Sequence, residues 1–224
     1  PLDLAVVRRA DAPDEGGPAR LHGGSFDAHQ ADAALGAGFN DIRTLKAAEA
    51  ILAEADVIHS AAVVAEAVSR VAEEITERLG ESNPLVLCVM SGGVPFSGQL
   101  LMQLRFPLDF DYLHVTRYGQ DTSGGALSWR AAPWTSVKGR SVLVVDDILD
   151  EGMTLAAIVE RLKELGAKAC YTAVATEKLN GKKKPIKADF IALTVPDRFV
   201  FGFGMDVRGH FRNLPAIYAM KDEA

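Results

Sequence analysis

Residues 142–154 read Val-Leu-Val-Val-Asp-Asp-Ile-Leu-Asp-Glu-Gly-Met-Thr, and no other segment limits the fold so sharply. Four consecutive apolar residues suit a strand buried on both faces, the setting of a central strand in a parallel sheet. Such a strand delivers Asp146 and Asp147 at its carboxyl end. A short loop then opens a helix from about Thr154 to Leu165, which Gly166 ends. In open α/β sheets, ligands bind beyond the carboxyl ends of the strands. Backbone N–H groups of Glu151, Gly152, Met153 and Thr154, with the Thr154 hydroxyl, can cradle a phosphate at the positive helix end. Gly152 lets the backbone approach closely. The carboxylates can accept hydrogen bonds from two sugar hydroxyls, so the segment is spaced to hold a ribose 5-phosphate. The plain alternative is a solvated acidic loop with Asp150 at the helix N-terminus.

Further elements repeat the alternation of buried strand and helix. Val64, Val68, Val71, Ile75 and Leu79 recur at spacings of three and four, which predicts a helix from about Ala61 to Leu79. Ser60 suits its N-cap and Gly80 its end. A shorter helix is expected over Thr44–Ala55. Leu85–Met90 reads as a buried strand feeding the turn Ser91-Gly92-Gly93, with Pro95 opening a helix through about Leu104. Phe110–Val115 alternates like a strand. Residues 117–136 read as a long mobile loop with a short strand near Leu127–Trp129. Ala169–Thr176 and Phe190–Val195 supply two more strands. The pattern is an α/β fold with a central parallel sheet flanked by helices. Residues 1–40 are expected to form a loosely ordered arm ahead of a single domain over 41–224.

The acidic segment resembles the PRPP-binding signature of type I phosphoribosyltransferases. Val195-Pro196-Asp197-Arg198-Phe199-Val200 through Asp206, followed by Phe211-Arg212-Asn213-Leu214, resembles the C-terminal part of the hypoxanthine-guanine branch. The resemblance spans roughly residues 56–220. It implies the type I phosphoribosyltransferase fold, with a small hood lobe built from about 41–60 and 195–224. It also implies that PRPP and a 6-oxopurine base give pyrophosphate and a purine nucleoside monophosphate, with Mg2+ as cofactor and a homo-oligomeric assembly, dimer or tetramer. On it, Asp146 and Asp147 face the ribose hydroxyls directly or through Mg2+, and Asp206 helps hold a second ion. Asp150 handles the purine N7 proton. Glu151 to Thr154 form the 5-phosphate loop, and Ser91, Gly92 and Arg212 meet pyrophosphate. Lys178 meets the base's O6 oxygen, Phe199 stacks on the base, and the Val200 backbone contacts its edge. Family members commonly carry a basic residue where this chain has Ser91, and Ser-Tyr where it has Arg117-Tyr118 at the start of the mobile loop. Arg117 could supply the charge missing at Ser91.

Composition fits a globular protein: 48% of residues are apolar and 24% charged. The net charge of −6 and pI of about 5.4 weigh against nucleic acid as partner. Lys182-Lys183-Lys184 and Lys187 read as a solvated basic loop. No apolar run approaches the ~18 residues a membrane span needs. No basic start with an apolar stretch marks a secretory leader. The two cysteines, Cys88 and Cys170, lie in apolar runs and read as reduced core thiols, so a cytoplasmic protein is expected. His59, His114 and His210 lack metal-ligand spacing. Phe201-Gly202-Phe203-Gly204 opens no dinucleotide-binding helix. Two rival functions stay open, a xanthine-preferring transferase and a PRPP-sensing regulator.

Overall fold

The computed structural model describes residues 42–117 and 127–221, with side chains from residue 45 on and without those of 117 and 127. The expected N-terminal arm, Tyr118 and the Arg117 side chain therefore lie outside the described residues.

Six strands form the main sheet. In chain order they are β2 (Leu85–Met90), β3 (Asp109–Arg117), β4 (Leu127–Ala131), β5 (Ser141–Leu149), β6 (Ala169–Leu179) and β7 (Phe190–Pro196). Their spatial order is β4-β3-β2-β5-β6-β7. All neighbours are parallel except the β3–β4 hairpin pair. The strand carrying the acidic pair thus sits centrally, between β2 and β6. The strand order reverses beside it, which opens a crevice at the carboxyl ends.

Pleating divides the sheet's side chains between two cores. Leu143 and Val145 pack with α2 (Ala61–Leu79) and α3 (Val94–Leu101). Val142 and Val144 pack on the other face with Leu155, Ile158 and Leu162 of α4 (Met153–Glu164). This two-sided burial explains the unbroken apolar run. In α2, the stripe Val64, Val68, Val71, Ile75 and Leu79 is buried throughout, and the Ser60 hydroxyl accepts from the Val63 N–H at 3.4 Å.

A second, antiparallel sheet has the order β1-β9-β8, from β1 (Asp56–His59), β8 (Val200–Phe201) and β9 (Ile217–Ala219). These strands are too short to show a period in sequence. The β1–β9 pairing joins residues distant in the chain, Asp56 with Ala219 for example. Val200, Ile217 and Ala219 join the same core as α2. The Arg198 guanidinium ties the sheet together, donating to Asp56 Oδ2 at 2.7 Å and to the Met220 carbonyl at 2.6 Å. Helix α1 (Ile42–Glu54) precedes β1.

Several expected bounds shift. β5 does not stop at Val145 but runs to Leu149, because β6 continues the ladder alongside to the Leu149–Glu177 pair. The acids therefore stand in the strand itself. α3 ends at Leu101 rather than Leu104, where the Gln103 and Leu104 amides both turn back to the Leu100 carbonyl. Cys88 is buried, but Cys170 is only half-buried and is not a core thiol.

Candidate active site

Three segments meet at the carboxyl end of β5. The first is the turn Ser91-Gly92-Gly93 after β2, entered through a cis Met90–Ser91 peptide. The second is the end of β5 with the loop into α4. The third is the chain from Gly202 to Arg212, which returns from the small sheet. Their approach is close enough to dictate residue type. A Cβ on Gly92 would lie 1.8 Å from Asp147 Oδ2, and one on Gly204 would lie 2.1 Å from the Gly92 carbonyl oxygen. Larger residues at either position would push the segments apart.

Between the segments lies a cleft of about 400 Å3. Ser91, Gly92, Asp146, Asp147, Asp150, Glu151, Gly152, Thr154 and Arg212 all line it. Gly152 caps α4 at φ +81°, in the left-handed region where only glycine sits without strain, and no side chain caps this helix. The positive end of α4 thus faces the loop at a residue that carries no side chain.

The acids stand side by side, half-buried, in the wall of the cleft. Burial first, then the charge of Asp147, raises the Asp146 carboxyl well above the usual carboxylate range. Burial also raises Asp147, against the hydrogen bond with Asp146, the Ile148 N–H and the Arg212 charge, which pull it down. Asp146 Oδ1 accepts from the Asp147 N–H at 2.9 Å, and Asp147 Oδ1 accepts from the Ile148 N–H at 2.7 Å. The nearest cation is Arg212, whose guanidinium stands 3.9 Å from Asp147 Oδ2. Arg212 pairs more tightly with Asp206 and also donates to the Gly204 carbonyl at 2.6 Å. Asp206 Oδ2 in turn accepts from the Gly209 N–H at 2.7 Å.

Beside the acidic pair is a second charged group. The Lys178 ammonium donates to Asp150 Oδ2 at 2.9 Å, and its side chain is only 14% exposed. The Asn180 amide donates to Asp150 Oδ1 at 3.0 Å. Both carboxylate oxygens of Asp150 are therefore held.

Residues 44–208 match the family of phosphoribosyl transferase domains. The chain belongs to the phosphoribosyltransferase family. It is 36% identical over 155 residues to the hypoxanthine-guanine phosphoribosyltransferase of Bacillus subtilis (strain 168), covering 69% of this chain and 86% of that protein. The protein of the same name from Streptococcus pneumoniae (strain ATCC BAA-255 / R6) is 31% identical over 161 residues, 71% of this chain and 89% of that one. A solved structure of a hypoxanthine-guanine-xanthine phosphoribosyltransferase superposes with a TM-score of 0.68 at 29% identity, covering 75% of this chain and 97% of that chain.

Within this phosphoribosyltransferase, most residues expected at the site converge. Lys178 reaches the cleft's edge through Asp150, and Asp206 through Arg212. Met153 is half-exposed at the start of α4. Phe199 is 54% exposed just before β8, and Val200 is buried in that strand. Neither Phe199 nor Val200 lines the cleft described above. Sequence reasoning missed Asn180, which nothing in its neighbourhood flags, because its partner lies 30 residues away. It also misread Lys184 as a solvated lysine. Its side chain is only 10% exposed and bonds to Glu177 and two backbone carbonyls.

The raised pKa of Asp146 carries a stability cost with a defined sign. The folded chain holds a proton on this carboxyl at pH values where the unfolded chain has released it. Stability is therefore lost as pH rises from the ordinary carboxylate range through the folded-state value. Asp146→Asn is expected to raise the urea midpoint of the ligand-free protein at neutral pH, with the gap closing as pH falls toward the ordinary carboxylate range. A variant less stable than the parent at neutral pH would contradict the burial account.

Proposed function

We propose that this phosphoribosyltransferase joins hypoxanthine or guanine to ribose C1 of PRPP, releasing pyrophosphate and IMP or GMP. The observation that carries the reading is the adjacency of two charged groups at neighbouring strand ends. Asp146 and Asp147 suit a ribose and its phosphates, and the Asp150–Lys178 pair suits the edge of an oxopurine. The relatives' names support the same choice of base.

In this reading the 5-phosphate docks at the N-terminus of α4, where Gly152 lets backbone amides approach and the helix dipole favours an anion. Asp146 and Asp147 accept from the ribose hydroxyls. The chemistry of the cleft also fits Mg2+. Two adjacent carboxyls, both raised first by burial and Asp146 next by the charge of Asp147, would gain from a divalent cation, and hard oxygen donors suit magnesium. Among the described residues, no group of three or more His, Cys, Asp or Glu side chains could hold a metal ion by itself. Magnesium is commonly held by one or two carboxylates and shared with substrate phosphates. Mg2+ would supply charge neutralisation for the leaving pyrophosphate. Arg212 would add its own charge there, drawn from its present pairing with Asp206. The Ser91-Gly92-Gly93 amides would bind pyrophosphate oxygens.

The sugar carbon gains positive character as the bond to pyrophosphate lengthens, and the base loses a proton as it attacks. Asp150 is the acceptor for that proton at N7. Lys178 donates to O6, and adenine, which presents an amino group there, would leave the lysine without an acceptor. Phe199 and the Val200 backbone, on the small sheet, would cover the base as a hood. A reducing cytoplasm suits the two free cysteines.

Assays of the purified protein with PRPP, Mg2+ and separate bases test this directly, by nucleotide formation and pyrophosphate release. Turnover is expected with hypoxanthine or guanine and little with adenine. Turnover with xanthine alone would keep the mechanism and replace the substrate. PRPP binding without turnover on any base would overturn the enzyme reading in favour of a regulator. Asp150→Asn is expected to lower turnover by ~10²- to 10⁴-fold, the usual contribution of a general base, while PRPP still binds. Full activity in that variant would exclude Asp150 as the base.

A further inference from the structure

The basic run at 182–187 divides into unlike lysines. Lys182, Lys183 and Lys187 are exposed. The Lys182 ammonium pairs with Glu151 at 3.0 Å, with side chains 65% and 49% exposed, the kind of pair that contributes little. Lys184 differs. Its ammonium donates to the Leu149 carbonyl at 3.1 Å, the Lys178 carbonyl at 2.7 Å and Glu177 Oε1 at 3.1 Å. An ammonium has three donors, and here all three are used.

The location of those acceptors gives the lysine its meaning. β5 and β6 stay in register up to the Leu149–Glu177 pair. The next residues, Asp150 and Lys178, leave the ladder and carry the 2.9 Å ion pair. Lys184 grips the last carbonyl of β5, immediately before Asp150, and the carbonyl of Lys178 itself. It replaces the ladder where the ladder stops. The segment also abuts the phosphate side of the site, since Pro185 and Ile186 lie 3.4 Å from where a Gly152 Cβ would sit. Asn180 completes the frame. Its Oδ1 accepts from the Lys182 N–H at 3.1 Å, which fixes the amide so that Nδ2 faces Asp150.

We propose that Lys184 is a positioning residue that holds Asp150 and Lys178 in the geometry needed to recognise and deprotonate the base. This rests on the function proposed above. A surface lysine would be interchangeable with its neighbours, whereas a buried ammonium removed from its acceptors leaves two strand-end carbonyls and Glu177 without their donor. The effect falls on the base side, because the acceptors belong to the backbone that carries Asp150 and Lys178. The acids that face the ribose are one turn of the pleat further down β5.

Lys184→Met, with Lys183→Met as an exposed control, separates this role from mere stability. Two readouts are taken, the Lys178 ε-methylene NMR signal in lysine-labelled protein and the kinetics with hypoxanthine. Lys184→Met is expected to shift or broaden the Lys178 signal. It should lower kcat/KM for hypoxanthine by about 10- to 100-fold, as a ~1 Å misplacement does, and narrow the preference over adenine, with KM for PRPP unchanged. Lys183→Met should change nothing. An unmoved Lys178 signal or an unchanged kcat/KM in Lys184→Met overturns the proposal. If the unaltered protein turns over no base while the Lys178 signal still moves, the link stands and the function reading falls. Should Lys184→Met fail to fold, reductive methylation of the unaltered protein decides. Lys184 is expected to label far more slowly than Lys183, and equal rates overturn the proposal.

Discussion

Asp146 and Asp147 follow four fully buried residues of β5, Val142 to Val145, so two carboxyls stand side by side, half-buried, at the wall of the cleft. Almost every feature of the site can be derived from that. The carboxyls are raised above their ordinary range, by burial first and by each other next for Asp146. Asp146 and Asp147 each accept from the next strand amide and bond to one another, and among the described residues the cation that pairs with Asp147 is Arg212, shared with Asp206. A site built this way favours a ligand that brings hydroxyl donors together with a cation. A sugar phosphate accompanied by Mg2+ meets both needs.

The fold serves to keep that arrangement in place. β5 is central because β2 and β6 flank it and helices cover both faces. The cores on the two sides take alternate residues of one strand, Val142 and Val144 against Leu143 and Val145. The turn at Gly92 and the loop at Gly204 close on Asp147 so tightly that neither tolerates a side chain. The small sheet reaches the same point from residues far apart in the chain, tied by Arg198 to Asp56 and to the Met220 carbonyl.

Much of this was legible in sequence because strong local signals carry it. The apolar run into Asp146-Asp147, the Gly-x-Thr that opens α4 and the stripe on α2 each declare an element within a dozen residues. The strands β1, β8 and β9 gave no such signal, since two to four residues cannot display a period. The end of β5 was misplaced because polarity was read as a boundary, whereas a partner strand extends the ladder past it. Lys184 was read by its neighbours, three lysines in a row. Its burial depends on Leu149, 35 positions away, and no local pattern encodes that contact. Asn180 was invisible for the same reason.

The central claim is that the acidic pair at the end of β5 binds the ribose and phosphates of PRPP. The most direct measurement is calorimetric titration of PRPP with Mg2+ into the unaltered protein and into Asp146→Asn/Asp147→Asn. The account expects binding that depends on Mg2+ and is lost in the double variant while the fold stays intact. Equal affinity in the two proteins would contradict it and move the site elsewhere in the cleft.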